Sequence, residues 1–191
     1  MRRIFIGTLV VLTIALINGC ANRKITRVDP NETIDLSGRW NDSDSRLVSE
    51  EMIGDLLTSA WIPRYLKAND KRPVVVVGLV ENKSHEHINS ETFIKDVEKA
   101  IIRDGNIRLV VAGEKRNELR KERAEQQDYA SPETTKKWGK ELGADFILQG
   151  TINSIVDSYK KQKVVTYQID LQLTNIETNE VVWMGDKKIK K

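Results

Sequence analysis

The sequence is poor in the residues on which catalysis and metal binding usually depend. Its 191 residues include one cysteine, Cys20, and two histidines, His85 and His87. A single cysteine excludes a disulfide within the chain and a metal site built from several cysteines. Catalysis by histidine would have to use one of these two residues. The sequence also contains no phosphate-binding glycine loop, dinucleotide fingerprint or nucleophile elbow.

The two histidines stand two positions apart, a spacing that on a strand would place both rings on one face and let them share a metal ion. They lie in the polar segment 81–90, which predicts a solvated loop, and no third ligand is evident. Paired carboxylates such as Asp42 and Asp44 fit helix capping better than an acid–base dyad. We therefore expect no catalytic residues, no metal and no other cofactor.

Long hydrophobic runs are scarce as well, and the clearest one lies at the N-terminus. Arg2 and Arg3 precede an apolar run from Ile4 to Ile17, which ends at Asn18-Gly19-Cys20. A basic start, a short apolar middle and small residues at the end are typical of a secretory signal. The run is about 14 residues long, whereas a membrane-spanning helix needs roughly 20. We therefore predict a cleaved signal peptide over residues 1–19.

The end of this signal, Leu16 to Cys20, resembles the bacterial lipoprotein signal, in which cleavage leaves a lipid-carrying cysteine as the new first residue. An ordinary free thiol is the alternative. Stable anchoring takes about two lipid signals, and the lipoprotein modification supplies more than one chain. The resemblance implies that lipid on Cys20 tethers the protein to a membrane. Ala21 stands where the inner-membrane retention signal would place aspartate, which implies the outer membrane and its periplasmic face.

Removal of the signal changes the charge balance. The whole chain carries 31 basic and 28 acidic residues, and without Arg2 and Arg3 the basic residues number 29. Proteins that bind nucleic acid usually show a strong basic excess. A nearly neutral chain therefore predicts no nucleic-acid partner, and we also expect no small-molecule substrate. The remaining length suits one domain with a hydrophobic core.

The segment that follows the signal lacks hydrophobic periodicity. We predict that residues 20–44 form the lipid anchor and a flexible tether, and that residues 45–191 form a single periplasmic domain. Trp40, a tryptophan in a polar segment, predicts either an anchor that docks the tether onto the domain or part of a partner-binding hot spot. The candidate partner-binding residues are Arg39, Trp40, Asp42 and Asp44.

Apolar residues at helical spacing predict two core helices. The first starts near Asp44 or Ser45 as its cap and runs to Trp61, where Pro63 ends or kinks it. The second runs over residues 90–104. Almost every residue of the segment 114–128 is polar, which predicts a surface helix. Ser131 before Pro132 predicts the start of a last helix, through Trp138 and Leu142 to Gly143.

The strand patterns predict an α/β (α+β) fold. The continuous apolar run 74–80 predicts a buried central strand, and residues 107–111 predict a second strand in a βαβ-like unit. Segments 144–156, 165–173 and 181–190 predict an antiparallel three-strand meander, the middle one through strict alternation. We expect a small mixed sheet that ends in this meander, with helices packed chiefly on one face.

Several of these segments together resemble one family. They are Gly38–Asp44, Leu47–Ile53, Val74–Asn82, Leu142–Phe146 and the terminal meander, and they resemble the LpoB family of outer-membrane lipoproteins. The family's domain is similar to the N-terminal domain of TolB, a small mixed sheet flanked by helices. The resemblance implies a non-catalytic protein that binds and activates a class A penicillin-binding protein in peptidoglycan synthesis. A lipoprotein component of an envelope secretion or assembly complex is the alternative.

Overall fold

The structure is a computed structural model, and it describes residues 27–29, 32–136 and 141–191. The predicted signal peptide, Cys20 and Trp138 lie outside the described residues. The chain divides into two compact units, Met1–Glu32 and Thr33–Lys191. All the features below belong to the second unit, which also contains the segment 33–44 that the sequence assigned to the tether.

The second unit contains, within its described residues, four helices and five strands. The helices are α1 (Asp42–Thr58), α2 (Trp61–Asn69), α3 (Ser90–Asp104) and α4 (Gly113–Tyr129). The strands are β1 (Val74–Asn82), β2 (Arg108–Val110), β3 (Phe146–Tyr159), β4 (Gln162–Asn175) and β5 (Val181–Lys190).

The five strands form one mixed sheet in the order β2-β1-β3-β4-β5. Strand β1 pairs in parallel with both β2 and β3, whereas β3, β4 and β5 are antiparallel neighbours. The connection from β1 through α3 to β2 is the expected βαβ unit. The predicted fold class, a mixed sheet that ends in a three-strand meander, is therefore confirmed.

The core lies between one face of this sheet and helices α1, α2 and α3. Along β4 the buried residues alternate with half-exposed polar ones, as the sequence pattern predicts; the buried ones are Val165, Tyr167, Ile169, Leu171 and Leu173. The helices contribute apolar residues to the same cluster, among them Ile53, Leu56, Trp61, Phe93, Val97 and Ile101. The opposite face of the meander carries the polar residues of the alternation.

The beginning and the end of the first helix differ from the prediction. Its cap is Asn41, not Asp44 or Ser45: the Asn41 side chain accepts the Asp44 N–H at 3.2 Å, and the Asp44 carboxylate accepts the Asn41 N–H at 3.0 Å. This reciprocal capping box satisfies two otherwise unpaired donors. The helix ends at Thr58, and Pro63 lies in the first turn of α2, where its missing N–H costs nothing.

The helix predicted to start at Ser131 is wrong over its described part. The Ser131 carbonyl accepts the N–H groups of Thr134 and Thr135, at 3.0 and 2.9 Å, and closes a turn. The Ser131 hydroxyl lies 2.9 Å from the Thr134 hydroxyl, so this cap-type residue bonds a neighbouring side chain and not the free N–H groups of a helix. Residues 141–145 have no helical structure.

Candidate functional site

The segment before α1, residues 33–41, is fastened to the rest of the second unit, and we call it the strap. The Asn41 side chain donates a hydrogen bond to the Ile34 carbonyl at 3.2 Å. The Asp35 carboxylate lies 2.7 Å from Nζ of Lys191. The Trp40 N–H points to the Glu86 carboxylate at 3.4 Å. These contacts hold the strap beside the start of α1.

The Trp40 ring makes the aromatic contact of the strap. Its edge meets the ring of Tyr167 on β4, with centroids 5.6 Å apart and planes at 64°. This is a favourable arrangement for two aromatic rings. Tyr167 is fully buried, and Trp40 is half-buried against the core cluster. The contact favours Trp40 as an anchor for the strap.

A cationic side chain joins the strap to the helix cap. Nζ of Lys191 lies 2.7 Å from Asp35 and 3.0 Å from Asp44, and 9% of the Lys191 side chain and 10% of the Asp44 side chain are exposed. Burial lowers the pKa of Lys191, but hydrogen bonds to the two carboxylates outweigh it and the net pKa is raised. The hydrogen bond from Lys191 also lowers the pKa of Asp35. The ammonium thus stays charged and links the two acids.

The loop that contains the two histidines also packs against Tyr167, the residue that the Trp40 ring contacts. Nδ1 of His85 lies 2.6 Å from the Ser154 hydroxyl, which also accepts the His85 N–H at 3.0 Å. The His85 ring stacks on Tyr167, with centroids 6.4 Å apart, and its Nε2 is 3.5 Å from Glu86. Burial and the neighbouring Glu86 carboxylate raise the pKa of Tyr167 to about 12, so its hydroxyl stays neutral at physiological pH.

The contact of Ser154, His85 and Glu86 contains the residue types of a hydrolytic triad. Nucleophilic catalysis also needs a cleft for substrate and donors for the developing oxyanion. Ser154 instead uses its hydroxyl to hold the backbone and ring of His85. We therefore interpret the cluster as a set of fastening contacts around Tyr167.

A shallow, open depression of about 360 Å³ lies on the polar face of the sheet, away from this cluster. It is lined by Leu79, Glu81, Gln149, Gly150, Thr151, Asp170, Leu171, Gln172 and Met184. At Gly150 an added Cβ would lie 2.2 Å from the Asp170 carbonyl. None of the strap residues lines this depression.

The structure divides the predicted partner-binding residues by exposure. Arg39 and Asp42 are exposed, Trp40 is half-buried and Asp44 is buried in the capping box and the Lys191 ion pair. Asp44 therefore has a structural role, and Arg39 and Asp42 are the two whose charged groups reach solvent. The predicted lipidation site, Cys20, lies outside the described residues.

Sequence reasoning missed the residues that hold the strap. Lys191 and Glu86 gave no local signal, because each meets its partners across a long stretch of sequence. Tyr167 gave a usable signal: it is the one hydroxyl-bearing residue on the buried face of β4.

Within the described ranges 27–29, 32–136 and 141–191, no three His, Cys, Asp or Glu side chains come together as a metal site.

Every helix in this part of the chain is too short or too polar to cross a lipid bilayer.

Comparison with known proteins gives a family match and several similar structures. A family model described as peptidoglycan-synthase activator LpoB matches residues 44–189. The LpoB C-terminal domain from Escherichia coli is 17% identical, with 77% of this chain and 96% of that chain covered and a TM-score of 0.45. The corresponding domain from Salmonella enterica is 18% identical, with 68% and 93% covered and a TM-score of 0.39.

A third similar structure is lipoprotein GNA1162 from Neisseria meningitidis, which is 13% identical, with 62% of this chain and 83% of that chain covered and a TM-score of 0.39. Among curated proteins, none matches this chain significantly.

Proposed function

The chain belongs to the LpoB family of peptidoglycan-synthase activators, and on that basis we propose that it binds and activates a class A penicillin-binding protein. The observation that carries the proposal is the family match over residues 44–189, which spans almost all of the second unit. A regulatory role agrees with the cluster around Tyr167, where the residue types of a triad are used to fasten a loop. The activator would therefore act by binding and not by chemistry of its own.

The proposal includes a place in the cell envelope. Cleavage before Cys20 and lipidation of its thiol would anchor the protein in the outer membrane, facing the periplasm. The predicted tether, residues 20–44, is short, and its part from Thr33 onward belongs to the second unit. The folded unit would then stay near the membrane that holds its lipid.

We propose the strap and the first turn of α1 as the surface that meets the synthase. Arg39 and Asp42 are exposed there on either side of the half-buried Trp40. Arginine and tryptophan dominate binding hot spots. The strap is already held by Asp35, Trp40 and Asn41, so a partner would have little conformational entropy to remove on binding.

Activation without chemistry requires that the protein bind the active state of the synthase more tightly than the inactive state. A tenfold preference corresponds to about 1.4 kcal/mol, which a few contacts with the strap can supply. By linkage, conditions that favour the active synthase should also tighten binding of the activator.

The test is a glycan-polymerisation assay on a purified class A penicillin-binding protein from the same organism, with and without residues 33–191. We expect binding and a faster rate. Arg39→Ala and Asp42→Ala should each reduce the stimulation, whereas Arg103→Ala and Asp128→Ala, which remove exposed charges elsewhere, should not. Absence of both binding and stimulation would contradict the proposal, and capture of export components in its place would favour the assembly lipoprotein.

A further inference from the structure

The hairpin between β3 and β4 extends beyond the sheet. Strand β1 pairs with β3 only as far as Ile152, and β5 pairs with β4 only as far as Thr166. We call residues 155–164 the hairpin tip. Within it, residues 157–164 pair only with each other, whereas Ile155 and Val156 pair with Thr166 and Val165. Beyond Val156 and Val165, four residues in each strand project by about 14 Å. Both faces and both edges of the hairpin tip are therefore open.

Apolar side chains of the hairpin tip are exposed on one face. Cross-strand pairing places Ile155, Asp157, Tyr159 and Val164 on the same side, with Val164 opposite Asp157, and it places Lys163 on the other side. Their exposed fractions are 69% for Ile155, 44% for Val164 and 70% for Tyr159. None of the described residues of the second unit covers this patch.

The hairpin tip also concentrates positive charge. Lys160, Lys161 and Lys163 are all exposed, and Asp157 is the single acid among the ten residues. Among the described residues none of the three lysines forms an ion pair, and Nζ of Lys160 lies 5.2 Å from the centre of the Tyr159 ring. The chain as a whole is nearly neutral without its signal, so this charge is local.

The turn itself keeps a lysine in an unfavourable conformation. Lys160 has a φ of 54°, in the left-handed region that glycine or asparagine adopts more readily. A turn selected only for hairpin stability would place glycine or asparagine there. The backbone cost at Lys160 therefore points to a use for its charge.

We propose that the hairpin tip binds the surface of an anionic phospholipid bilayer. The turn end of the hairpin tip, with Tyr159, would enter the interface, where tyrosine is favoured, and Lys160 and Lys161 at the turn would meet lipid phosphates. Asp157, two residues before Tyr159, would stay nearer the sheet. Each lysine near an anionic surface strengthens binding by roughly fivefold. This inference goes beyond synthase activation and does not depend on it.

A bilayer fits the hairpin tip better than a second protein strand does. An added strand pairs with backbone groups along an edge and makes no use of three uncompensated lysines at a turn. A flat anionic surface uses the projecting shape, the exposed tyrosine and the local charge together.

The test uses residues 33–191, which form a compact unit with its own core and contain no cysteine. A cysteine is introduced by Tyr159→Cys and labelled with a polarity-sensitive dye; Tyr129→Cys, at a tyrosine that is 87% exposed on α4, is the matched control. Vesicles of phosphatidylcholine, with or without phosphatidylglycerol, are then added. We expect a blue shift only for the dye at position 159 and only with phosphatidylglycerol, and inorganic phosphate should not reproduce it.

Cosedimentation of the unlabelled protein with the same vesicles gives the affinity. Changing Lys160, Lys161 and Lys163 together to serine should weaken binding at least tenfold, whereas the same change at the exposed Lys67, Lys136 and Lys188 should alter it less than twofold. Equal losses in the two triple variants, or no binding to phosphatidylglycerol vesicles, would overturn the proposal. Self-association that the hairpin variant abolishes, without vesicle binding, would assign the hairpin tip to a second copy of the chain.

Discussion

The ammonium of Lys191 lies 3.0 Å from the carboxylate of Asp44 and thereby joins the residue after β5 to the capping box of α1. The substitution Lys191→Met should lower the free energy of unfolding by about 2 kcal/mol, because the largely buried Asp44 carboxylate loses its counter-charge. Since the two carboxylates raise the pKa of Lys191 against the opposing effect of burial, this stabilisation is present below pH 10.5 and disappears as the pH rises through the raised value.

Lys190→Met is the matched control, because Lys190 is exposed at the neighbouring position. Urea unfolding followed by circular dichroism gives both values. An equal loss in the two variants would show that the contact between Lys191 and Asp44 contributes nothing specific.

Two glycines should respond to alanine in opposite directions. At Gly150 on β3 the added Cβ would lie 2.2 Å from the Asp170 carbonyl and 2.6 Å from Leu171, so Gly150→Ala should destabilise the protein by about 3 kcal/mol. Gly54 lies inside α1 with nothing within 4 Å of an added Cβ, and Gly54→Ala should stabilise by about 1 kcal/mol. Thermal unfolding of the two variants checks both signs, and a neutral Gly150→Ala would contradict the close strand approach.

The fold could be predicted because its signals are local. The alternation along β4 and the unbroken valines of β1 each specify a strand and its buried faces, and the structure has both. The start of α1 could not be fixed in this way, since Asn41, Asp44 and Ser45 are all good caps and the choice depends on the reciprocal bond. Ser131 is also a residue type that commonly caps helices, yet its hydroxyl bonds the hydroxyl of a nearby threonine.

The contacts of the candidate site are long-range, and this is why the sequence revealed only part of them. Trp40 stood out because a tryptophan is rare in a polar segment, whereas its partner Tyr167 lies 127 positions further on. No local pattern links Lys191 to Asp35 or His85 to Ser154. Such pairs exist only after the sheet has brought distant segments together.

The buried phenol of Tyr167 should make stability fall at alkaline pH. Burial and the Glu86 carboxylate raise its pKa to about 12, from 10.0 for an ordinary tyrosine. The unfolded chain therefore loses this proton first, and the stabilisation present below pH 10 is lost between pH 10 and 12. At pH 11 the free energy of unfolding is therefore lower by about 1.4 kcal/mol than it is below pH 10.

Comparison of the wild type with Tyr167→Phe at pH 8 and pH 11 measures this effect. The wild type should lose about 1.4 kcal/mol more than the variant between the two values, whatever the variant's stability at pH 8. Tyr129→Phe, at an 87% exposed tyrosine, should lose as much as the wild type. An equal pH dependence in wild type and Tyr167→Phe would show that the phenol ionises normally.

The anchoring role of Trp40 can be separated from a role in partner binding. Arg39 is exposed and is a site for trypsin, and we expect the strap to resist cleavage there while Trp40 is packed on Tyr167. An aromatic pair of this kind contributes about 0.5–1.5 kcal/mol beyond area burial. Trp40→Ala should therefore open the strap and speed cleavage at Arg39 by roughly tenfold, whereas Tyr129→Ala should leave the rate unchanged.

Trp40→Phe keeps an aromatic ring against Tyr167, so the strap should stay nearly as resistant to trypsin as in the wild type. If Trp40 serves only as an anchor, this variant should also retain stimulation of the synthase. Normal resistance combined with lost stimulation would mean that the exposed part of the indole contacts the partner. If Trp40→Ala leaves cleavage at Arg39 unchanged, the contact with Tyr167 does not hold the strap, and the surface around Arg39 and Asp42 loses its preorganisation.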